Sequence, residues 1–226
     1  MLLRGIIMKR PEIYLEPKQR VAKIIELLEK QYPDAKTALN YSNPLEMLVA
    51  TMLSAQTTDV RVNIVTKSLF NKYKTPEDYA NADIKELEQD IHSTGFYHNK
   101  ARNLQKCCRM LVEKYRSHVP KTMDELLELP GVARKTANIV LNNSYGIIAG
   151  VAVDTHVHRL SQRLGLTENE DAAKIEQDLM QITPKEKWMK LTDLLILHGR
   201  QVCIARKPKC EACVLNKICP CAFTFG

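Results

Sequence analysis

Seven cysteines are unevenly placed along the 226 residues. Cys107 and Cys108 stand together mid-chain, while Cys203, Cys210, Cys213, Cys219 and Cys221 crowd the C-terminal end. Four thiolates in the pattern Cys203-x6-Cys210-x2-Cys213-x5-Cys219 are enough to close around one tetrahedral metal ion or one cuboidal iron–sulfur cluster. Structural zinc sites usually use two closely spaced ligand pairs, and here only Cys210 and Cys213 are so paired; the spacing also differs from the bacterial ferredoxin run. In a reducing compartment a disulfide framework is the weaker account of this tail. Cys221 is a spare thiol, free or able to exchange with Cys219. Between the first two cysteines, Arg206, Lys207 and Lys209 form a basic loop tied at both ends and suited to gripping phosphates.

A second constellation is Leu129-Pro130-Gly131-Val132-Ala133-Arg134-Lys135. A Pro-Gly turn between two helices makes a tight hairpin whose backbone N–H groups, at the positive end of the second helix, can hold a phosphate. The bland alternative is an ordinary helix–turn–helix corner. Lys135, in the first turn of the second helix beside Arg134, is the candidate for a free amine, the group that Schiff-base chemistry at a sugar carbon needs; the alternative is a solvated surface lysine. The third is Val151-Ala152-Val153-Asp154-Thr155-His156-Val157, an apolar run ending in a carboxylate that opens a helix. Asp154 reads as an N-cap, as a carboxylate able to stabilise a developing sugar cation or accept a proton, or as both, since a cap fixes a side chain's direction.

The elements that must position these groups are helices. Val21, Ile24, Ile25 and Leu28 recur at helical spacing, as do Ala101, Leu104, Cys108, Leu111, Val112 and Tyr115, and again Trp188, Leu191, Leu194 and Leu195. On this pattern Cys107 and Cys108 are packing residues. Helix starts are expected at Asn43-Pro44 and Thr75-Pro76, and at Thr122, Thr167 and Thr183, each with a Glu three positions on. The run from Ile147 to Val153 has no alternating partner and reads as a buried connector rather than a strand. The fold class is therefore all-α, with about ten helices by this pattern. No internal repeat or Gly/Ser linker appears, so any two lobes are expected to pack closely around a cleft.

Composition narrows the class further. The hydrophobic share of 45% and charged share of 26% are ordinary globular values, and no apolar run approaches the roughly 20 residues of a membrane span. Disorder, collagen-like repeats and a transmembrane protein are excluded. Met1 to Ile7 is too short for a signal peptide, and Met8 before Lys9-Arg10 offers a second start, so residues 1–7 read as an extended start and the protein as cytoplasmic or nucleoid-associated. A net charge of +7 leans toward polyanions.

Together, the Leu-Pro-Gly-Val-Ala-Arg-Lys hairpin, the Val-Asp-Thr-His segment and the four-cysteine tail resemble the endonuclease III family of helix-hairpin-helix DNA glycosylases. Ser54-Ala55-Gln56-Thr57-Thr58-Asp59 and Leu197-His198-Gly199-Arg200 fit as well, so the resemblance spans roughly residues 18 to 221. It implies a monomeric base-excision enzyme acting on oxidised pyrimidines in duplex DNA, with damaged bases or abasic sites as substrates. It also implies a two-lobed helical fold: a six-helix barrel with the helix-hairpin-helix over residues 37–147, and a second lobe of residues 1–36 and 148–226 carrying a 4Fe-4S cluster, with DNA across the cleft. Lys135 matches the family's nucleophile and Asp154 its carboxylate. Cys203, Cys210, Cys213 and Cys219 match its cluster ligands. Relatives without a lysine at this position excise bases without cutting the strand through an imine, so Lys135 implies lyase activity.

The remaining implied DNA contacts are Gln56 and Phe96, which would fill the gap left by an extruded nucleotide, and Gly131, Ala133 and Arg134 in the hairpin. Ala133 stands where the family commonly has a second glycine, and Phe96 where relatives often carry an aliphatic wedge; the alternative for Phe96 is a core residue. The competing readings of the whole chain are a non-catalytic DNA-binding module and a glycosylase of shifted specificity, such as one for mismatched thymine.

Overall fold

A computed structural model describes residues 15–225; the expectations about residues 1–7, Met8 and Lys9-Arg10 lie outside them. Among the described residues the chain is helical and holds no strand. In order the helices are α1 (Pro17–Gln31), α2 (Pro44–Leu53), α3 (Asp59–Lys72), α4 (Pro76–Asn81), α5 (Ile84–Asp90), α6 (Tyr97–Tyr115), α7 (Met123–Glu128), α8 (Arg134–Tyr145), α9 (Thr155–Arg163), α10 (Ala172–Ile182) and α11 (Trp188–Gln201). Contacts divide them into two compact units, Thr37–Ala152 with α2 to α8, and the residues up to Lys36 together with those from Val153 on, with α1 and α9 to α11.

Helix starts follow local chemistry. The Asn43 side chain accepts from Glu46 N at 3.0 Å, with Pro44 pre-setting the first turn of α2. Thr75 and Asp78 form a full capping box on α4, and Thr122 caps α7 through Glu125 N. Asp83, accepting from Lys85 N and Glu86 N, starts α5 directly after α4. Two expected caps are corrected. Thr167 is turned inward: its hydroxyl bonds Asp178 and accepts from Asn169 N at 3.0 Å, and α10 starts later, capped by Asp171. Thr183 is the C-cap of α10, and its carbonyl accepts from Trp188 Nε1 at 2.9 Å; a 3-10 turn, Lys185–Lys187, then leads into α11.

In the unit Thr37–Ala152 the apolar stripe of α6 (Ala101, Leu104, Cys108, Leu111) is fully buried, and α4 and α5 pack across it. Helix α2 is apolar on all sides and lies against α3, α6 and α8, as a helix without a polar face must. Each fully buried Leu here stabilises the unit by about 1.5–3 kcal/mol before entropy costs. The segment 147–153 is a connector and not a strand, as expected, but it is buried only from Gly150 to Ala152, and Ile147 is exposed. It groups with this unit as far as Ala152, beyond the residue 147 taken from the sequence, because Ile147 N donates to Leu141 O at 3.1 Å and Ala149 packs on the core. In the other unit Val21, Ile24, Ile25 and Leu28 are the buried face of α1, which meets α10 and α11, while α9 packs on α10 and α11.

Cys107 and Cys108 are buried packing residues. Burial pushes the Cys107 thiol up to about 12 and raises Cys108 well above its usual value. An alkylating reagent is therefore expected to leave both unmodified in the native protein and to modify both in denaturant, as read by peptide mass mapping; native labelling at either position would contradict this packing.

Candidate functional site

The hairpin is built as its sequence dictates. Helix α7 ends at Glu128, Leu129 is its C-cap, and Val132 N closes the turn on Leu129 O at 3.0 Å. The left-handed position falls on Gly131, with φ +80°. A Cβ there would stand 2.9 Å from Asn103 Cβ and 3.0 Å from Met52 Cε, so glycine is required by both conformation and space. Ala133 is the N-cap of α8, extended at φ −93° and ψ 167°, a conformation that any residue adopts, so no second glycine is needed. Its methyl provides no cap, and the first N–H groups of α8 have no side-chain acceptor from that position. Arg134 and Ala133 are exposed and Lys135 half-buried. Within its own unit the Lys135 amine makes no hydrogen bond or ion pair.

Gln56, Phe96 and Gly131 line one concavity with about 640 Å³ of empty space, along with Asn99, Lys100 and Asn103. Phe96 is 64% exposed, which removes the core alternative for it. Gln56 (φ +54°) and Phe96 (φ +50°) both sit in left-handed backbone, uncommon for residues with side chains, and Gly95 before Phe96 has φ +67°. Lys100, which sequence reading passed over, is the buried polar group of this site. Its ammonium donates to Leu53 O, Thr57 Oγ1 and Thr94 O, each at 2.8 Å, and burial lowers its pKa to about 8. The signal that marks it is its place four residues before Leu104, on the buried stripe of α6.

Asp154 belongs to the other unit and is the N-cap of α9. Its Oδ1 accepts from His156 N and Val157 N, both at 2.8 Å, while Oδ2 takes no part in the cap. Both readings of this aspartate are therefore compatible in one side chain.

In the same unit Cys203, Cys210, Cys213, Cys219 and Cys221 line a single cavity with about 410 Å³ of empty space. Among the described residues no three ligating side chains converge as they would about one ion. Burial pushes the Cys213 thiol up to about 11 and Cys219 to about 12, a penalty on their thiolates that a metal's positive charge beside them would offset. Such a donor set fits an iron–sulfur cluster.

Two arginines of α9 hold the backbone around the first cysteine. Arg159 Nη2 donates to Gly199 O and Cys203 O at 3.0 Å each, and Arg163 donates to Ile204 O and Ala205 O at 2.9 Å each. Arg206, Lys207 and Lys209 are exposed on the loop that follows, Lys207 at φ +52°. His198, unassigned from sequence, is buried between Tyr32 Oη and Cys213 Sγ, 3.3 Å from each; burial lowers its pKa to about 4 and keeps it neutral.

Helices, hairpin and thiol cavity together define a class. Residues 49–185 match the HhH-GPD superfamily base excision DNA repair proteins, and residues 203–219 match the iron–sulfur binding domain of endonuclease III. The endonuclease III of Synechocystis sp. is 54% identical over 91% of this chain and 94% of its own. Two solved structures are each 47% identical with a TM-score of 0.87 over 91% of this chain: a non-covalent endonuclease III–DNA complex, covered over 96%, and a trapped endonuclease III–DNA covalent intermediate, covered over 97%.

The chain belongs to the endonuclease III family. It is a base-excision-repair DNA glycosylase with AP lyase activity, its partner is DNA, and its cofactor is a 4Fe-4S cluster. No helix among the described residues is long and apolar enough to cross a membrane.

Replacing Gly131 by Ala is expected to cost about 1–3 kcal/mol of stability, from the left-handed backbone and the crowding against Asn103 and Met52. Ala133→Gly is expected to change stability by less than about 1 kcal/mol. Denaturant melts of the two variants measure the contrast, and equal effects would deny that the turn's demand rests on residue 131.

Proposed function

We propose that this enzyme removes oxidised pyrimidines from duplex DNA and then cuts the strand through an imine on Lys135, with Asp154 as the catalytic carboxylate. The observation that carries the reading is a half-buried lysine in the first turn of α8, just past the glycine turn, whose amine nothing in its own unit engages.

The chemistry runs in ordinary steps. The damaged nucleotide leaves the stack, at a cost of a few kcal/mol that is lower for a damaged pair. Gln56 and Phe96 occupy the gap, where stacking of an aromatic ring on a base is worth about 1–3 kcal/mol. As the bond from C1′ to the base breaks, the electron pair leaves with the base, which takes up a proton. The Asp154 carboxylate stabilises the positive charge left on the sugar. The Lys135 amine bonds to C1′ and loses a proton, the C1′–O4′ bond opens as O4′ takes up a proton to become a hydroxyl, and a protonated imine results. That imine acidifies C2′; loss of a C2′ proton expels the 3′ phosphate, and water then releases the lysine.

The cluster supplies no step here. Its role is to fold the tail, with Cys203, Cys210, Cys213 and Cys219 as its ligands, so that Arg206, Lys207 and Lys209 face the phosphate backbone. The uncapped N–H groups of α8, with Gly131, Ala133 and Arg134, hold a second phosphate. In this reading the unit Thr37–Ala152 is the barrel lobe and the rest the cluster lobe. The protein works as a monomer on damaged or abasic duplex DNA in the cytoplasm, at the nucleoid, consistent with its net +7 charge.

Borohydride trapping on a duplex containing an oxidised thymine, with an abasic duplex in parallel, tests the nucleophile. The wild type is expected to give a covalent adduct on both, and Lys135→Ala on neither. An adduct that persists in Lys135→Ala assigns the imine to another amine, and an adduct on the abasic duplex alone rejects the substrate class. Asp154→Asn keeps a capping oxygen and is expected to lower single-turnover base release by about 10²- to 10³-fold, with little change in stability. Serine in place of Cys203 or Cys219 is expected to cut the bound iron and sulfide and to make the tail sensitive to protease; full iron content in both variants would reject the ligand assignment.

A further inference from the structure

Two of the residues that line the concavity, Gln56 and Phe96, lie on different segments: one in the loop after α2, the other in the turn before α6. Both segments pass through left-handed backbone at these residues, a costly conformation that persists only where the surroundings impose it. The Lys100 ammonium is the point at which the two segments meet. It is 9% exposed, and its three donors are fully used: on Leu53 O, the last residue of α2; on Thr57 Oγ1, the residue after Gln56; and on Thr94 O, two residues before Phe96. Thr57 Oγ1 in turn donates to Thr94 O, which closes the triangle. All three acceptors are uncharged oxygens, so the cation is buried for their geometry and not for an ion pair.

Position on the helix argues the same way. Lys100 stands near the N-terminal end of its own helix, the wrong pole for a cation, whereas its contact at Leu53 O is the C-terminal, negative end of α2. A lysine serving only α6 would be better placed elsewhere, and a lysine serving only solubility would be exposed. Burying this one makes sense if what it fixes is the separation between the two loops.

We infer that Lys100 is a positioning residue for gap filling: its ammonium clamps the Gln56 loop and the Phe96 turn at one fixed separation, so that both side chains enter the duplex together. The inference rests on the reading of Gln56 and Phe96 as the groups that fill the gap. A lysine suits the task because three donors on a compact head can hold three oxygens at once, and misplacement of a loop by an ångström is enough to lose about a hundredfold in rate.

The test uses the cluster-loaded full chain and a duplex carrying a reduced abasic site opposite 2-aminopurine. Anisotropy of an end label reports occupancy, and 2-aminopurine emission reports whether the gap is filled. At saturation, Gln56→Ala and Phe96→Ala are expected to lose most of the wild-type emission change, and Lys100→Met to lose it to a similar extent while still saturating. Base release from an oxidised-thymine duplex is then expected to fall by about ten- to a hundredfold in kcat for Lys100→Met, with KM nearly unchanged.

Wild-type emission from Lys100→Met, when either loop variant has lost it, overturns the positioning role and leaves the gap-filling reading standing. Emission retained by both loop variants overturns the gap-filling reading, and this inference with it. Thr57→Val keeps the ammonium but withdraws one of its acceptors; should Lys100→Met fail to fold by circular dichroism, that variant decides by the same emission criterion.

Discussion

Burial of α2 on every side is the constraint on which the unit Thr37–Ala152 depends. From Met47 to Leu53 each of its residues is buried, which leaves no freedom to rotate or slide without exposing apolar surface. Every functional segment of this unit is referenced to that helix. Met52 packs under the glycine turn, so the hairpin between α7 and α8 is seated on α2 and not merely tethered by its own helices. The last carbonyl of α2, at Leu53, receives the Lys100 ammonium, and the Gln56 loop departs directly from its C-terminal end. A loose α2 would therefore loosen hairpin, loop and turn together. Its N-terminus is correspondingly well fixed, by the Asn43 cap and Pro44.

The other unit solves the same problem by different means. Its C-terminal segment past α11 has little regular structure and few large buried side chains, Leu215 and Ile218 among them. Arg159 and Arg163 occupy successive turns of α9 and bind four backbone carbonyls between Gly199 and Ala205, which sets where Cys203 enters the thiol cavity. The remaining order comes from the thiol cavity itself. Burial of Cys213 and Cys219 disfavours their thiolates, a cost that binding of a metal cluster would offset, and metal binding of this kind couples to folding.

Much of this was legible in the sequence, because the signals were local. The apolar stripes of α1 and α6, the Asn43 and Thr75 caps, the glycine turn and the cysteine spacing each express a rule that operates within a few residues. Failures came where a local rule competed with tertiary structure. Thr167 and Thr183 each precede a Glu at capping-box spacing, yet the Thr167 hydroxyl found a better acceptor in Asp178, and the Thr183 backbone ended one helix while receiving the indole of the next. Lys100 was illegible for a related reason. A lysine on an apolar stripe reads as a break in the pattern unless the acceptors are known, and these come from Leu53, Thr57 and Thr94, all outside its own helix.

The two groups assigned to the chemistry share a structural solution. Lys135 stands in the first turn of α8 and Asp154 caps α9, so each projects from a helix start. The local chemistry of the two starts is opposite. Asp154 uses one oxygen on the exposed N–H groups of its helix, which fixes the carboxylate and leaves the second oxygen outside the cap. Ala133 offers α8 no such acceptor, so the positive end of that helix is left for an anion from outside. A phosphate bound there would sit within the same turn as Lys135 and offset the dipole that the lysine otherwise faces. In the proposed mechanism the absence of a cap at α8, a modest cost of about 1 kcal/mol to the helix, would thus tie the binding of the DNA backbone to the placement of the amine.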